Sequence, residues 1–97
     1  MKKIQETKKK LTALKPTLKE KFKVERIGLF GSYIRGEHKE ESDLDILVEF
    51  SEPVGLFQFI ELENFLREEL GVKVDLVMRK SLKNRIKERI IKEAIYV

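Results

Sequence analysis

Two stretches decide how this chain is read: Phe30-Gly31-Ser32-Tyr33-Ile34-Arg35-Gly36-Glu37 and, a few polar residues later, Ser42-Asp43-Leu44-Asp45-Ile46-Leu47-Val48-Glu49-Phe50. Strand residues alternate sides, so in the second stretch Leu44, Ile46, Val48 and Phe50 share one face, and Asp43, Asp45, Leu47 and Glu49 share the other. The first face is core; the second carries chemistry. Asp43 and Asp45 project the same way with their roots roughly 6–7 Å apart, so their oxygens can converge on one cation. Two carboxylates aimed at one point repel by about one to a few kcal/mol at an effective dielectric of about 20–80, unless a proton or a metal sits between them. Oxygen donors with no His or Cys beside them suit Mg²⁺, or Mn²⁺ in its place. Because Mg²⁺ completes its shell with water and phosphate, the pair predicts a phosphate-bearing substrate.

Upstream, the run over 24–30, Val-Glu-Arg-Ile-Gly-Leu-Phe, reads as a strand closed by Gly31-Ser32. Backbone N–H groups at such a strand end, before a possible helical turn, can point at an anion. Glycine admits the phosphate close to the backbone, and the Ser32 hydroxyl adds a donor. Arg35, one turn on, can set charge against a terminal phosphate, although a salt bridge with Glu37 is its plainer role. Ser42 caps a turn on its plain reading and joins Gly31, Ser32 and Arg35 as a nucleotide-binding candidate. Downstream, Pro53 and Gly55 break the chain. Leu56, Phe59, Ile60, Leu62, Phe65, Leu66 and Leu70 then recur at helical spacing until Gly71 supplies a C-cap. Residues 72–78 read as a third strand with Asp75 at its middle, and about 82–94 as a last amphipathic helix through Ile86, Ile90 and Ile91. Ahead of all this, 3–14 reads as an exposed helix. Pro16 should interrupt it and open a second short helix that carries Leu18 and Phe22 inward.

The order is helix, strand, turn, strand, helix, strand, helix. It implies an α+β fold: a small mixed β-sheet with helices on one face and the other face left for a ligand. Residues 1–97 form a single domain on this reading, with 1–22 an N-terminal helical segment and 23–97 the catalytic core. An aspartate within Val-Lys-Val-Asp-Leu-Val is costly if buried without a partner. If the third strand lies beside the second, Asp75 joins Asp43 and Asp45, as general base or as a further metal ligand. Its bland alternative is a surface pair with Lys73 or Arg79. Taken singly, an Asp-x-Asp strand and a Gly-Ser turn are common; their joint order is what points to chemistry.

The bulk numbers agree. Ninety-seven residues, 41% of them hydrophobic, are enough for one small core. No stretch approaches the roughly 18 apolar residues of a membrane span, so the chain is expected to be cytoplasmic with no membrane partner. The absence of cysteine excludes disulfides, thiolate metal sites and cysteine nucleophiles. A net charge of +4 is compatible with nucleotides, nucleic acid or an acidic partner. The basic residues, however, are spread along helices, and direct nucleic-acid binding is not expected.

Gly31-Ser32-Tyr33-Ile34-Arg35-Gly36-Glu37 followed by Ser42-Asp43-Leu44-Asp45-Ile46-Leu47-Val48 resembles the signature of the polymerase-beta-like nucleotidyltransferase superfamily, and the short length resembles its minimal members. By that resemblance Gly31 and Ser32 hold the β- and γ-phosphates of a nucleoside triphosphate, Asp43 and Asp45 bind Mg²⁺, and Asp75 completes the acidic triad. The implied reaction is attack by an acceptor hydroxyl on the α-phosphorus of an NTP. Many minimal nucleotidyltransferases are antitoxins that silence a small helical HEPN ribonuclease toxin by moving AMP from ATP to a toxin tyrosine. The resemblance makes this the leading expectation. Two alternatives stand beside it: transfer to a small molecule or an RNA end with a helical partner subunit, and a non-catalytic antitoxin that acts by binding alone.

Overall fold

The computed structural model describes residues 2–31 and 44–97. Its elements are α1 (Lys2–Phe22), β1 (Val24–Phe30), β2 (Leu44–Phe50), α2 (Leu56–Leu70), β3 (Val74–Met78), a 3-10 turn (Arg79–Ser81), α3 (Asn84–Glu93) and β4 (Ile95–Tyr96). The helical turn expected after Gly31 lies outside the described residues.

The four strands form one mixed sheet in the order β3-β2-β1-β4. β1 and β2 run antiparallel, with Leu29 opposite Ile46 and Phe30 opposite Asp45. β2 and β3 are parallel because α2 carries the chain back across the sheet between them. The alternation read from the sequence holds: Leu44, Ile46 and Val48 are buried in the same core as Ile27 and Leu29 of β1, Val74 and Leu76 of β3, and Leu62, Leu66 and Leu70 of α2. Gly71 ends α2 as expected. It adopts φ 67° and donates its N–H to the Arg67 carbonyl at 2.9 Å, the left-handed cap for which glycine is suited.

The N-terminal expectation is corrected. Pro16 does not divide the segment; it lies inside a single 21-residue helix. The reason is phase. Leu11, Leu18 and Phe22, spaced by seven and four, stay on one buried stripe across the proline, while Thr12 and Pro16 face solvent. The backbone bond that Pro16 cannot make is therefore lost on the wet side, where water can take the Thr12 carbonyl. Phe22 then meets Phe65 of α2 at 5.0 Å between ring centroids, and Gln58 donates to the Phe22 carbonyl at 3.2 Å, tying the two helices together over the core face.

Three further expectations shift. β3 starts at Val74 and α3 at Asn84, each two residues later than read. The last residues form an unexpected strand: Tyr96 pairs with Gly28, and Val97 donates to the Ile27 carbonyl at 2.9 Å. The helical stripe of α2 also does not bury all its apolar residues, since Leu56 and Ile60 are exposed, as is Phe57 between them.

Candidate functional site

The site face of the sheet is the one turned away from α1 and α2. On it, Asp45 of β2 lies directly opposite Asp75 of β3 in the parallel register. Neighbouring strands are about 4.8 Å apart, so the two carboxylates leave the backbone side by side. Asp45 is half-buried and Asp75 exposed. Hydrogen bonds flank this pair at the start of the ladder. Leu44 N–H donates to the Lys73 carbonyl at 2.8 Å, and the Arg67 guanidinium donates to the Val74 carbonyl at 3.1 Å. Arg67 also meets Glu63 at 3.3 Å, so the last turn of α2 fixes where β3 begins and hence where Asp75 stands.

Gly31 completes the arrangement from the other side. It follows Phe30, the residue paired with Asp45, and has φ 81°, a left-handed conformation that L side chains rarely adopt. A Cβ here would collide with Oδ2 of Asp45 and would sit 2.9 Å from its Cγ. The missing side chain is the space that the carboxylate occupies. A glycine for close approach after β1 was legible in the sequence; that it makes room for an aspartate as well as exposing backbone was not.

Of the seven residues singled out from the sequence, the structure thus brings Gly31, Asp45 and Asp75 together, whereas Ser32, Arg35, Ser42 and Asp43 lie outside the described residues. The donor chemistry present fits a hard divalent cation. Like charges directly opposite one another on adjacent strands are unfavourable without something to share, and carboxylate oxygens are what Mg²⁺ takes. Among the described residues no third His, Cys, Asp or Glu joins these two, and Asp43, which the sequence reading placed with them, lies outside the described residues.

The same face carries a second polar pair that was not foreseen. Arg79, just past β3, donates to Glu49 of β2 at 2.8 Å. Arg79 is therefore not the partner of Asp75 that the bland reading allowed. The hydrogen bond that Arg79 donates to Glu49, and then the negative charge of Glu49, raise the Arg79 pKa further above an already high value, so the guanidinium stays charged throughout the neutral range. Glu49 Oε2 and Arg79 Nε are buried with no hydrogen-bond partner among the described residues. Between the two pairs, Leu47 is fully buried, and the Tyr96 ring packs on Gly28, where a Cβ would come within 3.2 Å of the ring. A pair of residues 30 positions apart leaves no periodic mark, and only the Glu/Arg chemistry at matching strand ends hints at it.

The fold has known counterparts. The family model described as nucleotidyltransferase domain matches residues 11–97. The chain is similar to the protein adenylyltransferase MntA of Thermococcus cleftensis, 55% identical over 90% of this chain and 88% of that one. It is 48% identical over the whole of both chains to a Methanocaldococcus jannaschii protein provisionally named a protein adenylyltransferase. A solved structure provisionally described as a minimal nucleotidyltransferase superposes with a TM-score of 0.79 at 36% identity, covering 98% of this chain and 95% of the other. A crystal structure described as a toxin-antitoxin with AMP-PNP superposes with a TM-score of 0.66 at 30% identity, over 76% of this chain and 60% of that one. This chain belongs to the nucleotidyltransferase domain family and is an enzyme of that type.

Proposed function

We propose that this protein is a Mg²⁺-dependent protein adenylyltransferase that transfers AMP from ATP to a tyrosine of a cognate HEPN ribonuclease toxin, and so acts as the antitoxin of the pair. The observation that carries this reading is the in-register Asp45/Asp75 pair with Gly31 opened beneath Asp45, in a chain 55% identical to a protein adenylyltransferase. A relative solved with AMP-PNP supports ATP as the nucleotide, and a Shewanella oneidensis complex of a tri-AMPylated HEPN toxin with its MNT antitoxin, 25% identical with a TM-score of 0.69, supports the acceptor.

In this reading Gly31 and Ser32 cradle the β- and γ-phosphates, with Arg35 and Ser42 beside them, and Asp43, Asp45 and Asp75 form the metal-binding acids. The chemistry that Mg²⁺ supplies when bound is charge neutralisation on the phosphates and activation of the attacking hydroxyl. The chain's own contribution is placement: Gly31 fixes the Asp45 carboxylate, and the Arg67-anchored start of β3 fixes Asp75. The acceptor oxygen forms a bond to the α-phosphorus as the bond to the β-phosphate bridge breaks. Pyrophosphate leaves, and the hydroxyl proton passes to a carboxylate of the acid set. Positioning and electrostatics account for the rate, with no covalent intermediate on the protein.

The test is direct. Purified protein, Mg²⁺ and α-labelled ATP should label the toxin encoded beside this chain, on tyrosine, and Asp45→Asn should abolish the label. If no co-encoded partner takes label, the adenylyltransferase reading is wrong.

A further inference from the structure

The start of α2 presents an apolar surface that the fold does not use. Leu56 is 70% exposed, Phe57 82% and Ile60 42%, three neighbouring residues in the first turns of one helix. Scattered exposed apolar residues need no explanation, but a contiguous group does. Beside them an apolar groove of about 430 Å³ runs between the Val54–Phe59 segment and β3, floored by Leu76, Val77 and Met78. Among the described residues β3 is the outer strand on that side of the sheet, and no described strand covers the backbone groups of its far edge. Helix turn, groove and strand edge are continuous. They also reach the site: Val77 lies on the face of Asp75, two residues along the same strand, a separation of roughly 6–7 Å.

Charge indicates what covers this surface. α2 carries Glu61, Glu63, Glu68 and Glu69 against one basic residue, Arg67, in a chain whose net charge is +4. Glu61, Glu68 and Glu69 are exposed. A second copy docking by the same surface would bring two net-acidic copies of α2 together, which their charge opposes. A ribonuclease must hold a polyanion and so carries basic surface.

We propose that the exposed turn Leu56–Ile60, the groove beside it and the β3 edge form the docking face for the toxin, which meets it with an apolar anchor ringed by basic residues. This rests on the function proposed above. Docking here brings the acceptor along β3 toward Asp75, so binding and catalysis share one continuous surface.

Calorimetric titration of the purified toxin into wild type, Phe57→Glu and Leu56→Ser tests it, with binding of an ATP analogue and thermal melting measured alongside. Each variant should weaken toxin affinity at least about tenfold, as truncation of an interface anchor does, while the melting temperature and ATP-analogue binding stay at wild-type values. Glu61→Lys should weaken binding less, and its effect should fade as salt is raised. Wild-type affinity in both apolar variants would overturn the docking face and leave the catalytic reading standing. Failure of the wild type to bind or label the toxin would overturn both. Self-association of the wild type that Phe57→Glu abolishes would show that a second copy, and not the toxin, occupies the surface.

Discussion

β2 and its β3 side present two cross-strand pairs on one face of one sheet, and they are opposites. Near the start of the strands Asp45 faces Asp75, like against like. At the far end Glu49 meets Arg79 at 2.8 Å, and the charges cancel. Folding alone explains the second pair, since opposite charges across adjacent strands stabilise a sheet. It does not explain the first, which places two acids where one lysine would have served stability better. A local arrangement that works against folding supports the proposed placement of the chemistry at that end of the sheet. The comparison predicts that damage to the acid pair removes activity with little loss of stability, and that damage to the ion pair does the reverse.

The largest effect should come from Asp45→Asn. Nitrogen for oxygen keeps the shape and removes the charge, and a drop in transfer rate of about 10²–10³ or more is expected for losing one electrostatic contact to the reacting phosphates. Relief of the repulsion with Asp75 offsets the interactions that Asp45 itself loses, so the melting temperature should change little. A rate assay with labelled ATP and a melting curve on the same sample check both halves; an active Asp45→Asn variant would break the comparison at its root. Asp75→Asn should follow the same pattern.

Gly31→Ala is expected next, and it should be the one substitution that costs on both counts. Alanine at φ 81° is strained, and its methyl would occupy the position of the Asp45 carboxylate oxygen. A backbone penalty of about 1–2 kcal/mol is expected, together with a rate loss that approaches that of Asp45→Asn because the carboxylate must move. If Gly31→Ala melts lower yet transfers AMP at the wild-type rate, Gly31 serves the turn alone.

How much of this was open to sequence reading depends on how local each feature is. The β2 alternation and the Gly71 cap are set by neighbours within a few residues, and both stand as read. The Asp45/Asp75 register depends on which strand the chain returns to after α2, a choice made by the whole sheet, so Asp75 could be named but not placed. Pro16 misled because proline was weighed as a local breaker, whereas the seven- and four-residue spacing of Leu11, Leu18 and Phe22 holds the helix together from outside it. The β4 strand is two residues long, too short for any periodicity to announce it. Glu49 and Arg79 sit 30 residues apart and were legible only as two charges. The Leu56–Ile60 turn misled in the opposite sense, because helical spacing shows which residues share a face but not whether the fold covers it.

The ion pair provides the smallest and most discriminating effect. Glu49→Gln keeps one hydrogen-bonding oxygen near Arg79 but removes the charge, and should lower the melting temperature by about 4–8 °C with the transfer rate unchanged. The double variant Glu49→Leu with Arg79→Met should melt above Glu49→Leu alone. Glu49 Oε2 and Arg79 Nε are already buried without partners among the described residues, so the pair is imperfectly satisfied as it stands. Replacing both members removes those two groups from the interior, whereas replacing one leaves the other uncompensated. A double variant that melts at or below the single would show that the pair acts as an anchor for β3. In that case its loss should also lower the transfer rate, because Asp75 stands on the same strand.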